Sequence, residues 1–279
     1  MRYAFFGSPE FAAIILERLS AVGYPPALLI CNPDRAQGRK HILTPPPAKV
    51  TAEKTGIPVL QPEKPSLDTL KAHGQFDFFL VAAYSKIIPE EILSYPRLGT
   101  IGVHPSLLPE LRGPSPIQYA IIKGYKETGA SLFLVDAKVD HGPILGRRGG
   151  IKTDGKYFNE LVAELAEASA RLVVEVLPDF LSGKIEPISQ DENLVTFTKK
   201  IATEDGFIEE RELNEARNGV SEERALKIDR LVHALNPDPG VYTVSEGKRM
   251  KILKSRAENG RLFLERIQWE GKTPIDIKS

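Results

Sequence analysis

The sequence predicts an α/β protein: a doubly wound, mainly parallel sheet of the Rossmann-like kind, followed by a smaller β-rich, barrel-like domain. Three observations lead there. Short apolar runs alternate with amphipathic stretches over residues 1–180, the pattern of parallel strands joined by crossover helices. After Leu181 the texture turns polar, and beyond residue 240 short alternating segments take over. Finally, 42% hydrophobic against 27% charged residues leaves enough apolar surface for a sizeable core, which excludes disorder, collagen and coiled coil.

Tyr3–Phe6 is expected as a buried strand closed by Gly7. Pro9 suits a helix start, and Phe11, Ile14, Ile15 and Leu19 recur at helical spacing. Further strands are expected over Ala27–Cys31, Phe76–Ala82, Gly99–Val103 and Ser131–Val135. Asn32–Pro47 is too polar and proline-rich for a regular element, and loops of that length are commonly functional or mobile. Ile117–Ile122 is helix-like. Tyr157–Phe180 carries a long helical pattern through Leu161, Leu165, Ala168, Leu172 and Val176. Ser221 can cap a helix running to Leu235, striped by Leu226, Leu231, Val232 and Leu235. Val241–Val244, Lys248–Leu253 and Leu262–Trp269 read as strands, with Asn259-Gly260 as a hairpin turn. The division expected is a first domain at 1–182, a linker at 183–220 and a second domain at 221–279.

Lysine plus arginine and aspartate plus glutamate both number 37, so a globally basic binder is excluded while local basic patches are not. The single cysteine, Cys31, excludes a disulfide framework and a multi-cysteine metal site. No other set of ligands has metal-binding spacing, so no metal is expected. No stretch approaches the ~20 apolar residues of a membrane span, and no signal-peptide core follows Met1. A soluble, cytoplasmic protein is the expectation.

Open α/β sheets bind ligands beyond the carboxyl ends of their strands. The loops after Phe6, Ala82, Val103 and Val135 are therefore the places for a site. His104 stands one residue past an expected strand, in a loop stiffened by Pro105, Pro109, Pro114 and Pro116. A rigid loop there can pre-organise a general acid; the alternative is a histidine satisfied by a backbone carbonyl. Asp140 lies in the turn Asp136–Pro143 at the same edge. A carboxylate close to an imidazole favours the cationic ring, which suits hydrogen bonding to a developing oxyanion. On its own, Asp140 reads as a turn residue rather than a catalyst.

The order of several motifs is more specific than any one of them. Phe6-Gly7-Ser8-Pro9-Glu10-Phe11-Ala12, Pro33-Asp34-Arg35, Val81-Ala82-Ala83-Tyr84 and Val103-His104 come first. Ser106-Leu107-Leu108-Pro109, Arg112-Gly113, Pro116-Ile117-Gln118, Thr128-Gly129 and Asp140 with Gly142 follow. Together they resemble the folate-dependent formyltransferase family. Lys200-Ile201 with Glu204 and Ile208, and Ala234-Leu235-Asn236-Pro237, resemble the linker and second domain of its tRNA-type members.

The resemblance implies transfer of a formyl group from 10-formyltetrahydrofolate, as co-substrate, to the primary amine of initiator methionyl-tRNA by a monomeric enzyme. In that family an asparagine and a histidine hold the oxyanion, and an aspartate charges the histidine and helps remove the amine proton. His104 and Asp140 match the histidine and the aspartate. Ser106, Leu107, Leu108 and Pro109 match the folate-contact segment, and Ala82–Ile87, with Ala83 and Tyr84, the loop against the pterin. Where the family reads Asn-Val-His, this chain reads Gly102-Val103-His104. Losing one oxyanion donor typically costs ~10²–10³ in turnover, about 3–4 kcal/mol. Three explanations stand open: a water in the vacated volume, a side chain such as Gln118 reaching in, or binding without catalysis. His141 is a second departure, open between a ligand contact and an exposed turn residue.

By the same resemblance Arg35, Arg39 and Lys40, with Lys49 beyond, match a basic loop that enters the acceptor stem, although His41 and Ile42 replace lysines there. Phe6–Phe11 matches a segment lining the amino-acid pocket, where Phe11 offers an apolar wall to a thioether. The C-terminal Lys248, Arg249, Lys251, Lys254 and Arg256 form a basic stretch. Strict alternation puts Lys254 and Arg256 on one face and Arg249 and Lys251 on the other; edge-strand protection is the bland reading. An amino-sugar nucleotide is the alternative acceptor, and a non-catalytic tRNA- or folate-binding protein the alternative class.

Overall fold

A computed structural model describes residues 1–38 and 41–277. The chain opens with β1 (Tyr3–Phe6), α1 (Glu10–Ala21), β2 (Leu28–Ile30), β3 (Arg35–Gln37), β4 (Ile42–Thr44) and α2 (Pro47–Lys54). Then come β5 (Val59–Leu60), α3 (Leu67–Lys71), β6 (Phe78–Ala82), α4 (Glu90–Leu93), β7 (Thr100–His104) and α5 (Pro116–Ile122). β8 (Glu127–Leu134), β9 (Ile144–Lys152) and the long α6 (Phe158–Leu181) follow. The remainder holds α7 (Glu210–Arg217), α8 (Glu222–Leu235), β10 (Val241–Ser245), β11 (Lys248–Glu258), β12 (Arg261–Trp269) and β13 (Ile275–Asp276).

Contacts gather the chain into two compact units. The first comprises Met1–Arg112, Thr128–Ile151 and Val162–Phe197; the second comprises Gly113–Glu127, Lys152–Leu161 and the chain from Thr198 onward. The stretch 183–220, expected as a linker, is thus shared between them and carries two short 3₁₀ turns and α7.

In the first unit seven strands are ordered β5-β2-β1-β6-β7-β8-β9. Pairing is parallel from β5 through β7 and antiparallel between β7 and β8. β1 is buried along its whole length, as a central parallel strand covered on both faces must be, and that explains its unbroken apolar run. Tyr3 stacks on Phe78 at 4.8 Å, and Phe78 meets Phe180 of α6 edge-on. On the opposite face Phe6 meets Phe79 and Tyr84. Cys31 is buried, which pushes its thiol up to about 12, so it is an inert core residue at neutral pH.

Three local expectations change. Asn32–Pro47 is not irregular: β3 and β4 pair as a short hairpin, with Gly38 and His41 in the left-handed region at the turn, and Pro47 begins α2. Proline costs nothing at a helix's first position, where its missing N–H has no partner anyway. The sheet gains two edge strands, the two-residue β5 and β9, and the glycines and arginines of β9 gave no apolar run to read. In the second unit, β10-β11-β12-β13 form an antiparallel sheet, with Ser221 capping α8 by accepting from the Arg224 N–H. β11 is irregular between Ile252 and Ser255. The bulge flips the alternation, so that Met250, Ile252 and Ser255 are all buried and Arg249, Lys251 and Arg256 share the outer face. Two faces were expected for these cations; one results.

Candidate active site

β7 delivers His104 to the carboxyl edge of the sheet, where the residue is 5% exposed. Its Nε2–H donates to the Leu111 carbonyl at 2.9 Å. A carbonyl only accepts, so Nε2 carries a proton and Nδ1 is the atom left facing the site. Asp140, in the β8–β9 turn, places Oδ2 3.6 Å from Nδ1. That is too long for a direct hydrogen bond but within the range of an ion pair. The histidine is therefore both bonded to the backbone and turned toward the aspartate. The Asp140 turn requires Gly142: a Cβ there would overlap the Leu134 carbonyl oxygen.

Gly102 lies two residues before His104 on the same face of β7, opposite Phe133 of antiparallel β8. A Cβ at Gly102 would stand 2.5 Å from Phe133 Cζ. Phe133 is buried among Leu108 and Ile144. The first side-chain atom at 102 would meet this aromatic ring, so a larger residue there requires the ring to shift. Phe133 carried no signal in the sequence, because the small–large pairing across two strands is visible only once their register is known. Gln118 belongs to the second compact unit.

The loop after His104 turns much of itself inward. Ser106 donates its hydroxyl to the Glu110 carbonyl and accepts at its own carbonyl from Ser131 Oγ. Leu108 is fully buried, its N–H given to Ser131 Oγ, and Pro109 is buried beside it. Leu107 is half-buried and lies against Gly129 and Gly149. Of these four, Leu107 and the loop backbone are what a flat ligand could touch. After β6, Ala83 adopts a left-handed conformation and exposes its surface, and the half-buried Tyr84 holds a hydroxyl out of solvent without a hydrogen-bond partner. Such an orphaned donor just past the carboxyl end of β6 suits a polar heterocycle. Burial raises its phenol to about 12, so it is a donor throughout the neutral range.

Arg35 is exposed on β3, while Arg39 and Lys40 lie outside the described residues. Lys49 is not presented outward as a basic-loop residue. Its ammonium donates to both Asp34 oxygens and to Gln61 Oε1 at 2.8–3.0 Å, tying the loop after β2 to α2. Hydrogen bonds from Gln61 and Lys49 hold the Asp34 carboxyl below its ordinary 3.8. A carboxyl depressed in the folded state stabilises above the unfolded value and loses that contribution as pH falls through the folded one. Asp34→Asn is thus expected to flatten the fall of Tm on acidification below about pH 4, and an unchanged slope would show the pair to be inert.

His141 is engaged rather than free: Nδ1 lies 2.6 Å from Asp136 Oδ2 and Nε2 3.7 Å from Glu192. Arg112 is buried and pairs with Glu192, whose carboxyl it holds below the ordinary range. Gln190 and Thr196 touch the turns behind Asp140 and His104. Sequence reading missed both, since they sit in an aperiodic polar stretch and act across 50 to 85 residues. No cluster among the described residues could hold a metal, and none of their helices is long and apolar enough to cross a membrane.

The site is thus an imidazole and a carboxylate brought together at the carboxyl edge of an open α/β sheet, the edge where such sheets bind ligands. Residues 1–177 match the family "Formyl transferase", and residues 222–262 match "Formyl transferase, C-terminal domain". The chain belongs to the formyl transferase family. It is 40% identical over 256 residues to a methionyl-tRNA formyltransferase of Halalkalibacterium halodurans, covering 90% of this chain and 77% of that one. The fold is shared with HypX from Aquifex aeolicus (TM-score 0.69, 16% identity, 99% of this chain and 47% of that one). It is shared too with the methionyl-tRNA formyltransferase from Clostridium thermocellum (TM-score 0.62, 17% identity, 96% and 98%).

Proposed function

We propose that this chain transfers a formyl group from 10-formyltetrahydrofolate to the amino group of initiator methionyl-tRNA. The observation that carries the reading is the approach of His104 Nδ1 to Asp140 Oδ2 at the sheet edge, in a chain 40% identical to a methionyl-tRNA formyltransferase. As the amine nitrogen bonds to the formyl carbon, negative charge builds on the carbonyl oxygen. Protonated Nδ1 donates to that oxygen while Leu111 fixes the ring from behind. Asp140 balances the imidazolium and takes the amine proton, directly or through one water; that proton passes to N10 as the tetrahedral intermediate collapses, the C–N10 bond breaks and tetrahydrofolate leaves. Leu107, Ala83 and the Tyr84 hydroxyl are the groups suited to hold the folate. Gly102 contributes only its backbone, so His104 carries a load that relatives divide between two side chains.

Arg35 and the outer face of β11 supply cations for a phosphate backbone, two of which share Glu265: Lys254 and Arg256 both pair with it at 3.2 Å. Incubating the protein with 10-formyltetrahydrofolate and either methionyl-tRNA or an amino-sugar nucleotide tests the acceptor. Formyl-methionyl-tRNA is the expected product, and formylation of the sugar alone would overturn the reading. tRNA affinity is expected to fall linearly with log salt, with a slope shallower by about 1 in Lys251→Ala if that residue meets one phosphate.

A further inference from the structure

We propose that Gln190 is a positioning residue for formyl transfer, holding the Asp140 turn in register with His104; the inference rests on the function proposed above. Two residues that are not glycine adopt the left-handed conformation next to the reacting groups: Leu111 at φ 58° and Asp140 at φ 49°. Side chains disfavour that region, and such residues persist where their surroundings over-determine them. Here one segment, residues 188–196, with a 3₁₀ turn at Glu192–Leu194, restrains both.

Ile188 exchanges two backbone hydrogen bonds with Ile144 at the start of β9 (2.8 and 2.9 Å), which brings the segment beside the Asp140 turn. Two residues on, Gln190 Nε2 donates to the Asp140 carbonyl at 2.9 Å and to the Gly142 carbonyl at 2.8 Å. Its Oε1 accepts from Arg112 Nε and Nη2 at 3.1 and 2.9 Å. Carbonyls only accept and a guanidinium only donates, so the amide has one possible orientation. At the far end Thr196 Oγ1 accepts the Leu111 N–H at 2.8 Å, and the Thr196 carbonyl accepts from Arg112 N at 2.9 Å. Leu111 is the residue whose carbonyl receives His104 Nε2. The imidazole and the carboxylate come from different loops, and Gln190 with its neighbours is the tie that sets one against the other.

Two variants separate positioning from charge neutralisation. Gln190→Glu keeps an acceptor for Arg112 but sets a carboxylate against two carbonyls. Gln190→Met removes both functions. If Gln190 serves only to partner Arg112, Gln190→Glu transfers formyl groups like the wild type and the methionine variant alone is impaired, which would overturn the proposal. Positioning requires both to lose about 10- to 100-fold in kcat per folate-binding site, since a displacement of ~1 Å costs on this order. KM for the folate is expected to stay within about twofold. A crystal structure of Gln190→Glu gives a readout independent of turnover. The His104–Asp140 separation of 3.6 Å is expected to open, and an unchanged separation would refute positioning even if the wild type proved inactive. Wild-type inactivity toward methionyl-tRNA would instead count against the proposed function.

Discussion

Replacing His104 by alanine is expected to lower single-turnover formyl transfer by about 10³-fold, the upper end of what losing one oxyanion donor costs. The reason is the glycine two residues earlier. Where an amide and an imidazole share the developing charge, each loss is partly covered by the other. Here the three atoms nearest a Cβ at 102 all belong to the Phe133 ring, which offers no donor. Folate binding should persist in His104→Ala, because the groups suited to hold the ligand lie on Leu107 and the Ala83–Tyr84 loop rather than on the imidazole. Asp140→Asn preserves shape but removes the charge that balances the ring, and a loss of about 10² is expected. A His104→Ala variant that retains more than about a tenth of wild-type turnover would show that the oxyanion is held elsewhere.

The second large effect concerns Gly102. Introducing asparagine alone does not restore an amide to the site, because its Cβ would already collide with Phe133. Overpacking of a well-filled core typically costs about 1–3 kcal/mol, so Gly102→Asn is expected to unfold at lower temperature and to transfer no faster. Gly102→Asn combined with Phe133→Ala relieves the collision and gives the amide room beside His104. That double variant is expected to fold better than the single asparagine variant and to transfer formyl groups at least tenfold faster than wild type, within the ~10²–10³ one donor can supply. Comparing the four corners of this cycle isolates the coupling between positions 102 and 133. Additive effects would mean that the ring and the glycine are unrelated.

What could be read in advance follows from the range of the interactions. β1, β6 and α6 are written in local periodicity, and their burial is continuous or striped as the pattern requires. His104 and Asp140 could be placed at one sheet edge because each follows a strand with a recognisable apolar run. β9 could not be foreseen, since Ile144–Lys152 contains three glycines and two arginines. The bulge in β11 inverted an argument from strict alternation: one extra residue near Lys254 moved Arg256 onto the face of Arg249 and Lys251. The roles of Phe133, Gln190 and Thr196 depend on pairings across β7–β8 and between distant loops, which no local pattern encodes. The departure at Gly102 was legible, but its consequence was not. Only the antiparallel register shows that position 102 faces the Phe133 ring.

Rapid-quench single turnover by the unaltered protein, with saturating 10-formyltetrahydrofolate and methionyl-tRNA, bears most directly on whether an imidazole and a carboxylate suffice without the amide. Formyl-methionyl-tRNA should accumulate in a single phase whose amplitude matches the folate-binding sites. Full folate occupancy with no formylated product would contradict the account and leave the chain a binder.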